Sequence, residues 1–167
     1  MTKNNFLDVF VDFTKDAIKD FLLPVSPRED EENKERIPDV YKMRLPDRSS
    51  ATKKAPYILH QVVTTSDKQN SGSIPYATVT IRTVFCIYHP SEGNEGPLAL
   101  LELIERLRIA VLKSVSIGKV YQLDREAGLE SLIYPEDTAP YYVGEMISVW
   151  KVPHVLMEVM QWLPENL

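Results

Sequence analysis

The run "IPYATVTIRTVFCIY", residues 74–88, alternates apolar and polar side chains along most of its length. A β-strand puts successive side chains on opposite faces. The run therefore predicts one long strand, with Ala77, Val79, Ile81, Phe85 and Ile87 on one face and Thr78, Thr80 and Arg82 on the other. Cys86 falls late on the second face, where a lone thiol with no CxxC spacing reads as a small filler. The segment before it, "YILHQVVTT" (57–65), is rich in β-branched residues, and "SDKQNSGS" (66–73) between them supplies turn formers. Together they predict a long antiparallel hairpin with one buried face and one wetter face.

The buried face needs a cover, and two amphipathic segments offer one. Phe6, Phe10, Phe13, Ala17 and Phe21 recur at spacings of three and four, predicting a helix over 6–23 that Pro24 stops. The phenylalanine stripe reads as a surface that packs on the sheet, with an exposed docking face as the alternative. "PLALLELIERLRIAVLKSV" predicts a second helix, with Pro97 in its first turn and Leu100, Ile104, Leu107 and Val111 as its apolar stripe. Glu102 with Arg106, and Glu105 with Arg108, have the spacing of acid-first ion pairs. Beyond it, "KVYQL" (119–123), "LESLIY" (129–134) and "PYYVGEMISVWKVP" (140–153) read as strands. "HVLMEVMQWLPENL" reads as a last strand or a short helix.

Residues 25–55 differ from both neighbours. The stretch is polar and punctuated by prolines, with almost no apolar periodicity, and predicts a long surface loop or insertion with room for a short helix in "REDEENKER". A solvated loop and a partner-docking arm both fit it. The 167 residues suit a single domain able to bury its own core. The expected fold is α+β, a mostly antiparallel sheet with two main helices packed on one face.

Chemistry is sparse in this sequence. There is no Gly-rich phosphate loop and no GxSxG elbow, and His60, His89 and His154 lack metal-ligand spacing. One cysteine rules out an internal disulfide framework. Net charge of −5 speaks against a domain that binds nucleic acid by neutralising phosphates. No apolar run is long enough to span a bilayer, and the acid- and lysine-interrupted start is unlike a signal peptide, so a reduced, cytosolic chain is expected. Glu145 stands out because it interrupts an apolar run between aromatics, although no catalytic partner accompanies it. Its other reading is a charge that discourages edge-to-edge strand pairing. Aromatics gather in the last third, at Tyr134, Tyr141, Tyr142, Trp150 and Trp162, and suit an interface or an ordinary core equally. No catalytic, cofactor or metal residue is nominated. Tyr141, Tyr142, Glu145, Trp150 and Arg106 are the candidates for assembly or for a core signature.

Four stretches in this order carry a resemblance: "PYILHQVV"; "TVTIRTVFCIYHPSEGNEGPLALLELIERLRIAVL"; "YQLDREAGLESLIY"; and "PYYVGEMISVWKVP", roughly residues 56–155. The sequence resembles the tail terminator proteins (tail completion or head–tail joining) of long-tailed bacteriophages and prophages. The resemblance implies a structural virion assembly protein with no catalytic residues and no cofactor. It implies a ring, usually a hexamer, on the last ring of tail tube protein, ending tube polymerisation and meeting the head connector. Double-stranded DNA would pass through the bore unread, and an acidic balance would not trap it. The chain would sit in the host cytoplasm during assembly and at the head–tail junction of the virion, with no membrane partner. Another neck component, such as a head-completion or adaptor protein, is the nearest alternative. A small cytosolic binding module, or an enzyme using Glu145 or Glu102, lies further off. The polar stretch at 25–55 is longer than the resemblance leads one to expect.

Overall fold

The computed structural model describes residues 2–27, 34–46 and 54–156. Among the described residues two helices, α1 (Lys3–Ala17) and α2 (Glu95–Lys113), accompany eight strands. These are β1 (Leu23–Pro24), β2 (Glu35–Arg36), β3 (Asp39–Lys42), β4 (Tyr57–Lys68), β5 (Tyr76–Tyr88), β6 (Gln122–Leu123), β7 (Leu129–Ile133) and β8 (Tyr141–Val152). The main sheet runs β3-β4-β5-β8-β6, with β7 also paired to β8 on the β6 side. The fold is a single-domain α+β arrangement, as the alternation and the two amphipathic segments imply.

The hairpin forms as the alternation dictates. β4 and β5 pair antiparallel from Tyr57↔Cys86 to Lys68↔Tyr76, with a bulge between Val62 and Thr64. β8 then pairs with β5 from Ala77↔Val152 to Tyr88↔Tyr141. This register puts Ala77, Val79, Ile81, Phe85 and Ile87 on one face beside Met146 and Trp150, all of them buried. Phe6, Leu7 and Phe10 of α1, and Leu100, Leu103, Ile104, Leu107 and Val111 of α2, close the core over that face. The phenylalanine stripe thus packs on the sheet. Trp150 lies with its ring centroid 5.4 Å from that of Phe6 and 5.3 Å from that of Phe10, and donates its indole N–H to Ser148 Oγ at 2.9 Å.

Three expectations need correction. The first helix ends at Ala17, not Leu23: Ile18 leaves helical geometry, and the Phe21 N–H turns back to the Ile18 carbonyl. Ile18 and Phe21 still reach the core from that turn, so the apolar spacing outlasts the helix. Secondly, the 25–55 segment is not wholly loop. Its described parts supply β2 and β3, and β3 pairs parallel with Tyr57–His60 of β4. Arg36 secures this region by donating to the carbonyls of Lys54 at 2.7 Å and Pro56 at 3.0 Å. Strands of two to four residues carry no readable period, and long-range bonds of this kind set them. Thirdly, Arg106 binds Asp20 at 2.7 Å, beyond the end of α1, while Glu105 and Arg108 pair as spaced, at 3.1 Å. Most of "REDEENKER", and residues 157–167 with Trp162, lie outside the described residues; 153–156 form no strand or helix.

Candidate functional site

The sheet face away from the helices is built in two parts. Near the start of β4, Ala55, Tyr57, Leu59 and Cys86 form a small second core, flanked by Tyr41, Val84, Tyr88, Tyr141 and Val143. Tyr141 joins it through a 2.8 Å hydrogen bond between its hydroxyl and Ser26 Oγ. Burial pushes the Cys86 thiol up to about 11 and raises the Tyr57 phenol as well. Both groups stay neutral there, so Cys86 is the filler its place in the alternation suggested.

Next to this cluster lies the densest polar arrangement on the sheet. Arg82 Nε donates to Glu145 Oε2 at 2.6 Å, and its Nη2 to Tyr134 Oη at 3.0 Å. Tyr134 Oη donates to the same Oε2 at 3.0 Å, and Arg82 Nη1 reaches Gln61 Oε1 at 3.4 Å. One guanidinium therefore ties together β4, β5, β8 and the residue that follows β7. The hydrogen bond from Arg82 holds the Glu145 carboxyl below the usual carboxylate range, helped by Tyr134. Glu145 in turn raises the Arg82 guanidinium further above its ordinary value. A carboxylate pinned as an anion by two donors is ill placed to give or take a proton near neutral pH. The arrangement sets the strands' positions.

His60 sits on the opposite face, fully buried beneath α1. Its Nε2 and Thr14 Oγ1 lie 2.8 Å apart, as do its Nδ1 and Thr83 Oγ1. Thr14 spends its own proton on the Phe10 carbonyl, so Nε2–H donates to Thr14 and Nδ1 accepts from Thr83. With the Phe10 ring centroid 4.3 Å away, burial lowers the imidazole to about 3. This neutral histidine clamps a helix to the sheet.

The five nominated residues do not meet. Tyr141 and Glu145 lie on the face away from the helices, in the two parts just described, while Tyr142 and Trp150 lie on the helix face. Tyr142 lays its ring where a Cβ on Gly96 would stand, so the glycine lets the first turn of α2 settle on it. Arg106 is on α2, with its guanidinium 5.3 Å from the Phe21 ring centroid. The nomination missed Arg82 and Tyr134 as partners of Glu145, and Gln61 as a further partner of Arg82. An arginine set between Thr80 and Val84 on one strand face was the available signal.

A groove of about 860 Å³ opens where the hairpin, the start of α1 and the end of β8 meet, lined by Lys3, Asp67, Tyr76, Tyr121, Val152 and Leu156 among others. Lys3 and Asp67 on its rim pair at 3.3 Å. Among the described residues no group of three or more His, Cys, Asp or Glu could hold a metal ion, and no helix is long and apolar enough to cross a membrane. In comparison with known proteins, the chain matches no family model and no curated protein.

Proposed function

We propose that the protein is a structural subunit of a closed ring at the head-proximal end of a phage tail tube, where it ends tube growth and meets the head connector. One observation carries the association part of this reading. Large apolar side chains stand exposed where the fold of a lone subunit gives them no use. Leu132 and Ile133 project from opposite faces of the edge strand β7, 52% and 37% exposed, and Leu98, Leu101 and Ile109 are exposed along α2. Such surface on a small domain suits burial against another subunit. The sequence resemblance supplies the kind of assembly, and the polar sheet face with its self-neutralised Arg82–Glu145 pair suits a surface past which DNA moves without being held.

The test is native mass spectrometry and negative-stain microscopy of the protein alone and mixed with tail tube protein. A closed ring, six-membered by the resemblance, is expected on the tube end. A strict monomer under both conditions overturns the reading, and binding to a portal in place of tube moves the protein to another neck position.

A further inference from the structure

We infer that the ring closes by strand pairing between two different sheet edges, residues 64–68 of β4 on one subunit and residues 130–134, β7 and the residue after it, on the next. The inference rests on the ring reading and names the surface and the partner, a second copy of this chain.

Both edges are open. β3 covers only Tyr57–His60 of β4, and beyond the bulge no described strand flanks the rest of it. β7 has β8 on one side and no described strand on the other. Lone proteins blunt such edges with charge, proline or brevity. Thr64, Thr65 and Ser66 carry no charge, the charged pair Asp67 and Lys68 stands only at the end of the edge, and β7 exposes Leu132 and Ile133.

Strand direction fits. β4 runs antiparallel to β5, β5 to β8, and β8 to β7. β4 and β7 therefore point in opposite senses, so a copy set alongside in the same orientation offers an antiparallel partner.

Backbone phase fits as well. Tyr134 N–H binds the Val143 carbonyl, so residues of its phase on β7 turn inward, while Ser131 and Ile133 turn their backbone groups to the open edge. The His60 carbonyl accepts the Met43 N–H on the β3 side, and Thr65 and Asp67 share the His60 face beyond the bulge. Pairing Thr65 with Ile133 and Asp67 with Ser131 joins outward groups to outward groups. The same register keeps both sheet faces continuous and sets Lys68 against Glu130, opposite charges on the face away from the helices.

Closure is feasible too. Lys68 lies opposite Tyr76, one step beyond the Ala77↔Val152 pair, whereas Glu130 lies opposite Ile147. That is an offset of about six residues, or ~20 Å, across four strands that span ~19 Å. Cancelling it needs a strand tilt of roughly 45°, at the upper end of the range found in closed sheets.

Two experiments decide it, each run with tail tube protein present. Lys68→Glu and Glu130→Lys should each weaken ring formation about threefold or more per contact, and the double exchange should restore it. Under mild oxidation, Lys68→Cys subunits mixed with Glu130→Cys subunits should form disulfide dimers, and neither variant should do so alone. Dimers of Lys68→Cys alone would mean a two-fold β4–β4 contact and overturn the proposal. Rings that form normally without mixed disulfides, or that ignore the charge exchange, would overturn it while leaving the ring reading intact. Absence of any wild-type assembly would remove both.

Discussion

The two faces of the central sheet are made by the same strands, residue by alternate residue, yet they are held in different ways. Under the helices, β5 and β8 present Val79, Ile81, Phe85, Met146 and Trp150 to a continuous apolar core with one buried neutral histidine. On the other side the same strands present Arg82 and Glu145, flanked by a satellite cluster of four buried residues. The first face gains its stability from removing area from water. The second gains little energy and much definition, since a single guanidinium fixes the relation of four segments. A sheet built this way can leave one face open without losing its shape.

The contrast can be broken most severely from the helix side. Trp150→Ala removes the largest fully buried side chain among the described residues and takes the indole donor from the buried Ser148 hydroxyl. A loss of about 3–5 kcal/mol is expected in urea unfolding. A loss below about 1 kcal/mol would mean that the aromatic cluster is not the centre of the core.

Acid should attack the same face next. The folded His60 imidazole titrates near 3, against 6.5 in the unfolded chain, so between those values the unfolded state binds the extra proton. Stability is then full above pH 6.5 and declines as pH falls below it, by roughly 2 kcal/mol between pH 6.5 and 5. Carboxylates such as Glu145, whose pKa is lowered from 4.5, begin to contribute only at lower pH. Urea midpoints measured at pH 7.5, 6.5 and 5 would check this, and midpoints that do not move would show that His60 is reached by solvent or proton.

The open face should respond least. Glu145→Ala cuts the tie among β4, β5, β8 and Tyr134, but the Arg82 side chain is 37% exposed and can turn to water. A cost of about 1 kcal/mol is expected. A cost matching that of Trp150→Ala would erase the distinction between the faces.

How far the sequence foretold this can be judged residue by residue. The alternation at 74–88 announced both faces of β5, and the spacing from Leu100 to Val111 announced α2, because a buried stripe repeats over many residues. β3 could not be read, since only Val40 of its four residues packs on the helix-side core, Tyr41 turns to the satellite cluster, and the partner strand at Ile58 lies across the least patterned stretch. Glu145 was visible as an oddity, while its meaning was hidden. Its partners stand 63 and 11 positions away, and only the β5–β8 register and the fold of the 135–140 turn bring them within reach. Arg106 shows the converse failure, where correct helical spacing to Glu102 lost to Asp20, 86 residues distant.

The filler thiol has a practical side. Cys86 is the chain's one cysteine, 1% exposed, with its acidity suppressed to about 11. Thiol reagents act on the thiolate, so the folded wild-type chain is chemically silent toward maleimides and spin labels at neutral pH. Every cysteine introduced on the surface reports alone, so the proposed contact between copies can be probed on an otherwise native background.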